Sequence, residues 1–135
     1  MAREALFVID MLNDFVETGA PLEVPRARQI LPRIKERIEE ARERLIPVIY
    51  ICDAHREKDE EFKEWPEHAI FGTRGAEVVK ELKPKRGDFV VKKRRYSAFL
   101  GTDLDLLLKE LKVEKLYLTG ILTNICVFFT ASLIF

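Results

Sequence analysis

Cysteine is scarce in this chain: Cys52 and Cys126 are the only two among 135 residues. A secreted scaffold of this size usually carries more, so no disulfide framework is expected. An excess of charge of one sign is lacking as well. Lysine and arginine number 23, aspartate and glutamate number 23, and the formal net charge is zero. That balance removes the electrostatic case for nucleic acid or an anionic membrane as a partner. No window approaches the roughly 18 uncharged apolar residues that a membrane-spanning helix needs. The opening MAREALFVID turns at once into an apolar strand and carries an acid, unlike a secretory leader. A cytoplasmic protein is expected. Internal repeats, low-complexity tracts and a P-loop pattern are also missing, and Gly72, Thr73 and Gly75 read as a turn and helix cap.

What is present is enough apolar material, 47% of residues, for one core in a single domain spanning residues 1–135. Ala5–Ile9, Leu45–Cys52, Asp88–Val91 and Lys115–Thr119 are short, bounded apolar runs that read as buried strands. They end near Asp10, Asp53, Lys92 and Lys93, and Gly120 respectively, as strands of a parallel sheet with functional groups at its carboxyl edge would. Ile30, Ile34, Ile38, Ala41 and Leu45 recur as one face of an amphipathic helix, with Pro32 in its first turn. Leu104, Leu107, Leu108 and Leu111 repeat the pattern, and Ala76–Leu82 reads as a shorter helix. The alternation predicts an α/β fold, a three-layer α/β/α sandwich around a mainly parallel sheet. Cys52 lies inside an apolar run and reads as core.

Asn124–Phe135 reads as a helix that is apolar on every side and stops on Leu-Ile-Phe. Such a helix belongs inside a protein. The chain is therefore expected to expose an apolar surface around Phe128, Phe129, Leu133, Ile134 and Phe135, covered by another subunit or by further sequence.

Three segments carry the chemistry: VIDMLNDF (8–15), VVKKRRYSAFLGTDLD (90–105) and LTGILTNICVFFTA (118–131). A fourth, WPEHAIFGTRGAE (65–77), stands between the first two. Together, and in this order, they resemble the catalytic and metal blocks of the isochorismatase-like cysteine hydrolases, the group that includes nicotinamidases. The resemblance covers nearly the whole chain and implies a domain lacking its last strand–helix units. On its own Cys126 reads as a buried, inert thiol, and Asp10 as an acid capping a loop. The resemblance makes them nucleophile and proton carrier, with Lys93 between them. The spacing Lys-x-x-Tyr-Ser-x-Phe selects Lys93 over the adjacent Lys92, and an extended strand points the two to opposite faces. A helix N-terminus under Cys126 and the positive charge of Lys93 would both favour thiolate.

The resemblance further implies an oxyanion hole from the N–H groups of Leu122 and Cys126, held by a non-proline cis peptide at Ile121–Leu122. It also implies aromatic pocket walls from Phe15, Trp65 and Tyr96. The two histidines of the chain both fall in a second constellation, Asp53, His55 and His68, with Glu61 beside it. Asp53-x-His55 in an extended segment aims both side chains to one side. Carboxylate with imidazole suits zinc, with manganese or iron as alternatives. Without a metal these residues are polar loop and lid groups. The implied reaction is hydrolysis of a small planar carboxamide, nicotinamide foremost, through a thioester. The alternatives are a relative acting on a ureido or N-carbamoyl acid, and an inactive, shortened subunit. The family commonly forms dimers or tetramers, so a homo-oligomer is expected.

Overall fold

The computed structural model describes residues 2–134. Four strands, β1 (Glu4–Ile9), β2 (Val48–Asp53), β3 (Phe89–Lys93) and β4 (Lys115–Gly120), form one sheet in the order β3-β2-β1-β4. Every pairing is parallel. Alternate residues of β1 feed two cores. Leu6 and Val8 pack with Ile34, Ile38 and Ala41 of the long helix α2 (Ala27–Glu43), after the short α1 (Asn13–Val16). Ala5, Phe7 and Ile9 pack on the other face with Leu104 of α3 (Leu104–Glu110). Burying side chains such as Ile34 and Ile38 contributes about 1.5–3 kcal/mol each. The result is the expected three-layer α/β/α sandwich.

Several boundaries differ from the sequence reading. Leu45 belongs to no strand. It takes a left-handed conformation (φ 58°) just past α2, where its N–H donates to Arg42 O and that of Ile46 donates to Ala41 O. Those two bonds satisfy the last helical carbonyls, a local gain that outweighs the strand propensity of the run. Pro32 lies inside α2 rather than in its first turn, because the helix begins at Ala27. The predicted helix at Ala76–Leu82 is instead two single 3-10 turns, Arg74–Ala76 and Lys80–Leu82. Between them Val78 bridges Leu12 and Val79 N–H donates to Met11 O, so backbone bonding to the segment after β1 displaces helical bonding. The helix predicted over Asn124–Phe135 is a wide π-type turn, Thr123–Val127, followed by only one helical turn, α4 (Phe128–Ala131). Phe128, Phe129 and Leu133 are exposed, Ile134 is half-buried, and Phe135 lies outside the described residues.

The order 3-2-1-4 reverses direction between β1 and β4. In open parallel sheets the carboxyl ends at such a reversal part to leave a crevice. Gly120 closes β4 beside Ile9 with φ 117°, and any Cβ there would collide with the backbone of Ile9. Gly19 also has positive φ (80°) but stands in open space. Gly120→Ala is therefore expected to destabilise by clearly more than the roughly 1 kcal/mol of Gly19→Ala. Urea unfolding of the two variants checks this, and equal losses would contradict it.

Candidate active site

Three chain segments meet at the carboxyl edge. Asp10 follows β1 in a left-handed conformation (φ 53°), which aspartate tolerates better than most residues. Its Oδ1 accepts the N–H of Asp53 at 2.8 Å, fixing the carboxylate against the end of β2. Lys93 closes β3. The burial alternation along that strand leaves Lys92 exposed and places Lys93, buried, at the edge shared with Asp10 and Cys126. Lys93 Nζ donates to Asp53 Oδ1 at 2.5 Å, to Arg95 O at 2.9 Å and to Cys126 Sγ at 3.3 Å. Its three protons are thereby committed. The 3.0 Å approach to Asp10 Oδ2 is ionic, and that oxygen has no hydrogen-bond donor of good geometry among the described residues. Atoms of Asp10, Asp53 and Cys126 lie within 4.8 Å of one another.

Burial acts on each charge. Asp10 is raised above the usual carboxylate range by burial and by the charge of Asp53, against the pull of Lys93. Burial also raises Asp53, but Lys93 and the close approach of the His55 and His68 rings overcome it and hold its carboxyl well below the usual range. Burial lowers Lys93, yet Asp10, Asp53 and Cys126 together keep its pKa well above the ordinary value. Cys126 departs from expectation. Burial first, then the charge of Asp10, push its thiol far up, and Lys93 does not compensate. A four-residue α4 carries too little aligned backbone to supply the expected helix-terminus effect.

The peptide between Ile121 and Leu122 is cis, as expected. Among the described residues the Leu122 N–H has no acceptor, and it borders the same cavity as Cys126. That cavity holds about 420 Å³ and is bordered by Asp10, Phe15, Trp65, Tyr96 and Cys126. Trp65 Nε1 donates to Tyr96 Oη at 2.9 Å, so two of the three aromatic candidates brace each other. A larger hollow, about 870 Å³, lies elsewhere beside Arg28, Glu77 and Lys92, and none of the catalytic or metal candidates borders it.

Asp53, His55 and His68 converge next to this cavity, with donor atoms within 4.8 Å of one another. His68 Nδ1 donates to Pro66 O at 2.7 Å, and His55 Nδ1 bonds Asp59 Oδ2 at 3.1 Å. Both rings thereby turn Nε2 toward Asp53 Oδ2, at 3.4 Å from His55 and 3.8 Å from His68. His55 Nε2 is buried and lacks any hydrogen-bond partner among the described residues. An orphaned imidazole nitrogen facing a carboxylate and a second imidazole fits a divalent metal. Glu61 Oε2 approaches His55 Nε2 at 3.4 Å without joining the three-residue set. Sequence reasoning missed Asp59. It sits in the charged run REKDEE, whose members apart from Glu61 read as solvent-facing, and its only signal is the spacing of four from His55.

Iodoacetamide is expected to alkylate Cys126 slowly at neutral pH, at a rate still rising above pH ~9, since only thiolate attacks. Peptide mapping by mass spectrometry separates Cys126 from buried Cys52, whose thiol burial pushes up to about 12. A rate plateau near neutral pH would reveal a stable thiolate and contradict the reading of the site.

Comparison with known proteins follows the same lines. The isochorismatase domain matches residues 4–134. The fold is similar to an isochorismatase-like hydrolase from Alkaliphilus metalliredigens, with TM-score 0.94 and 44% identity, covering 97% of this chain and 74% of that one. An N-carbamoylsarcosine amidase from Thermoplasma acidophilum is similar at TM-score 0.90 and 36% identity, covering 98% and 75%. A pyrazinamidase from Pyrococcus horikoshii, in complex with zinc, is similar at TM-score 0.91 and 34% identity, covering 96% and 76%.

Proposed function

The chain belongs to the isochorismatase family of hydrolases, and from that premise we propose that it is a cysteine amidohydrolase converting a small, neutral, planar carboxamide to its acid and ammonia. Nicotinamide is the leading substrate. One observation carries the preference for a neutral molecule. No lysine or arginine borders the cavity among the described residues, while Asp10, Glu23, Asp53 and Glu61 do. Lys93 has committed its protons, and Arg28, the nearest cation to Glu23, is paired with it at 2.8 Å. Among the chain's own described side chains a substrate carboxylate would find acids and no free cation. A like charge about 6 Å away costs on the order of 3 kcal/mol at an effective dielectric constant of about 20.

In this reading Cys126 is the nucleophile, Asp10 the proton carrier and Lys93 the charge that holds both. The thiol is neutral at rest, so attack and proton transfer go together. As Sγ bonds to the amide carbon, its proton passes to Asp10 Oδ2, the oxygen with a free lone pair. The carbonyl π pair moves onto oxygen, where the N–H groups of Leu122 and Cys126 receive it. When that pair returns, the C–N bond breaks and the nitrogen leaves as ammonia with the proton from Asp10. Asp10 next takes a proton from a water whose oxygen attacks the thioester carbon. The C–S bond breaks, sulfur recovers the proton, and the acid departs. Phe15, Trp65 and Tyr96 flank a flat ring and keep water from the thioester until the amine has left.

Asp53, His55 and His68 are the residues that would hold a divalent metal, with Glu61 as a further oxygen donor. Zinc suits two imidazoles and a carboxylate, and manganese or iron are alternatives. Held there, such an ion would supply Lewis acidity beside the cavity. A second reading, hydrolysis of an N-carbamoyl or ureido acid, is favoured by the likeness to the Thermoplasma acidophilum amidase.

Ammonia release separates the two. The expected result is a kcat/KM for nicotinamide or pyrazinamide at least about tenfold above that for N-carbamoylsarcosine, a margin of roughly 1.4 kcal/mol. Preference for the carbamoyl acid would reverse the assignment. Cys126→Ala should abolish turnover, and Asp10→Asn should lower kcat by about 10²–10⁴. Turnover surviving Cys126→Ala would remove the thioester from the mechanism.

A further inference from the structure

Asp59 has no part in the reaction described above, yet its side chain is fully buried and surrounded by donors. His55 Nδ1 bonds its Oδ2 at 3.1 Å. Arg94 Nε donates to the same oxygen at 3.1 Å, Arg95 Nη1 donates to Oδ1 at 2.7 Å, and Glu61 N–H donates to Oδ1 at 3.2 Å. The two arginines directly follow Lys93, and Arg95 O takes one of the Lys93 protons. A carboxylate taken out of water is retained only where such partners satisfy it.

We infer that Asp59 is the positioning residue for His55, holding its Nδ1–H so that the Nε2 lone pair is presented to a divalent metal beside Asp53 and His68. The inference rests on the metal reading given above. An imidazole has two nitrogens and two tautomers, and the group that accepts from one nitrogen decides which lone pair is offered. A carboxylate in that place fixes the ring and raises the basicity of the ligating nitrogen. The geometry fits: His55 is completely buried, its Nδ1 faces Asp59, and its Nε2 faces Asp53 and Glu61 at 3.4 Å each. The same carboxylate also clamps the Arg94–Arg95 segment, so it joins the loop after β2 to the end of β3.

The test measures zinc binding by the whole chain through competition with a chelator, together with the visible spectrum of the cobalt-substituted protein. Asp59→Asn keeps the shape but offers a single acceptor oxygen to four donors. Its zinc affinity is expected to fall about 10–100-fold, with an altered cobalt spectrum. The double variant Arg94→Ala, Arg95→Ala leaves Asp59 on His55 and is expected to retain nearly all the affinity. Unchanged affinity in Asp59→Asn would overturn the inference. So would an equal loss in the arginine variant, because Asp59 would then act only as a loop anchor. A variant-free readout covers a folding failure: in the zinc-loaded wild-type protein, long-range ¹H–¹⁵N spectra should place zinc on His55 Nε2 and a proton on Nδ1. Zinc on Nδ1 would overturn the inference directly. A wild-type chain that takes up no zinc would instead sink the metal reading itself, and this inference with it.

Discussion

A lysine ammonium without exposed side-chain surface, that of Lys93, is the charge on which the rest of the site depends. Burying such a group unpaired costs several kcal/mol, and attraction offsets that cost only where the partners are close and well aimed. Here Asp53 lies at 2.5 Å and Asp10 at 3.0 Å, on the ends of two neighbouring strands. The dependence runs both ways. Two carboxylates this near each other cannot both remain ionised without the cation, and the cation cannot remain buried without them. The thiol of Cys126 enters this group as the neutral member, accepting a Lys93 proton at 3.3 Å. Two acids already outnumber the one base, so ionising the thiol would add further negative charge to a buried cluster, and the sulfur stays protonated.

Asp53 divides its two oxygens between two tasks. Oδ1 meets Lys93, while Oδ2 faces His55 and His68. The Lys93–Asp10–Cys126 cluster and the two histidines thus share one carboxylate, and neither can be displaced without disturbing the other. Both histidines are held in the same way, by an acceptor on Nδ1: Pro66 O for His68 and Asp59 for His55. That arrangement orders the rings in advance, so little conformational freedom remains to be lost when a ligand arrives.

Strand order explains why these groups meet. Asp10 and Cys126 follow β1 and β4, neighbouring strands on either side of the reversal in the sheet. Lys93 reaches them from β3, two strands from β1 and three from β4, because its side chain is long and lies across the end of β2. The absence of a side chain at Gly120 lets β4 end against Ile9, which brings the turn carrying Cys126 over Asp10.

Much of this was legible in the residues alone. Four apolar runs marked the strands and the Ile34–Ile38–Ala41 spacing marked the long helix, while Asp10, Lys93 and Cys126 were singled out by the resemblance of four ordered blocks to a known family, and Asp53, His55 and His68 by that resemblance together with their carboxylate–imidazole chemistry. Such features are local: a period of two or near 3.6, or a charged residue closing an apolar run, is written in adjacent positions. Tertiary structure decided the rest. The segment from Ala76 to Leu82 has helical composition, but backbone bonds to Met11 and Leu12 took it elsewhere. Asp59 looks solvated in its charged run but is buried, paired with His55, Arg94 and Arg95. The state of the Cys126 thiol likewise depends on burial and on two carboxylates from distant positions. Local pattern determined the four strands and the long helix, whose apolar faces are written in adjacent positions, whereas the charge a buried group carries is set by the sum of Coulomb and desolvation energies over neighbours that only the completed fold brings together.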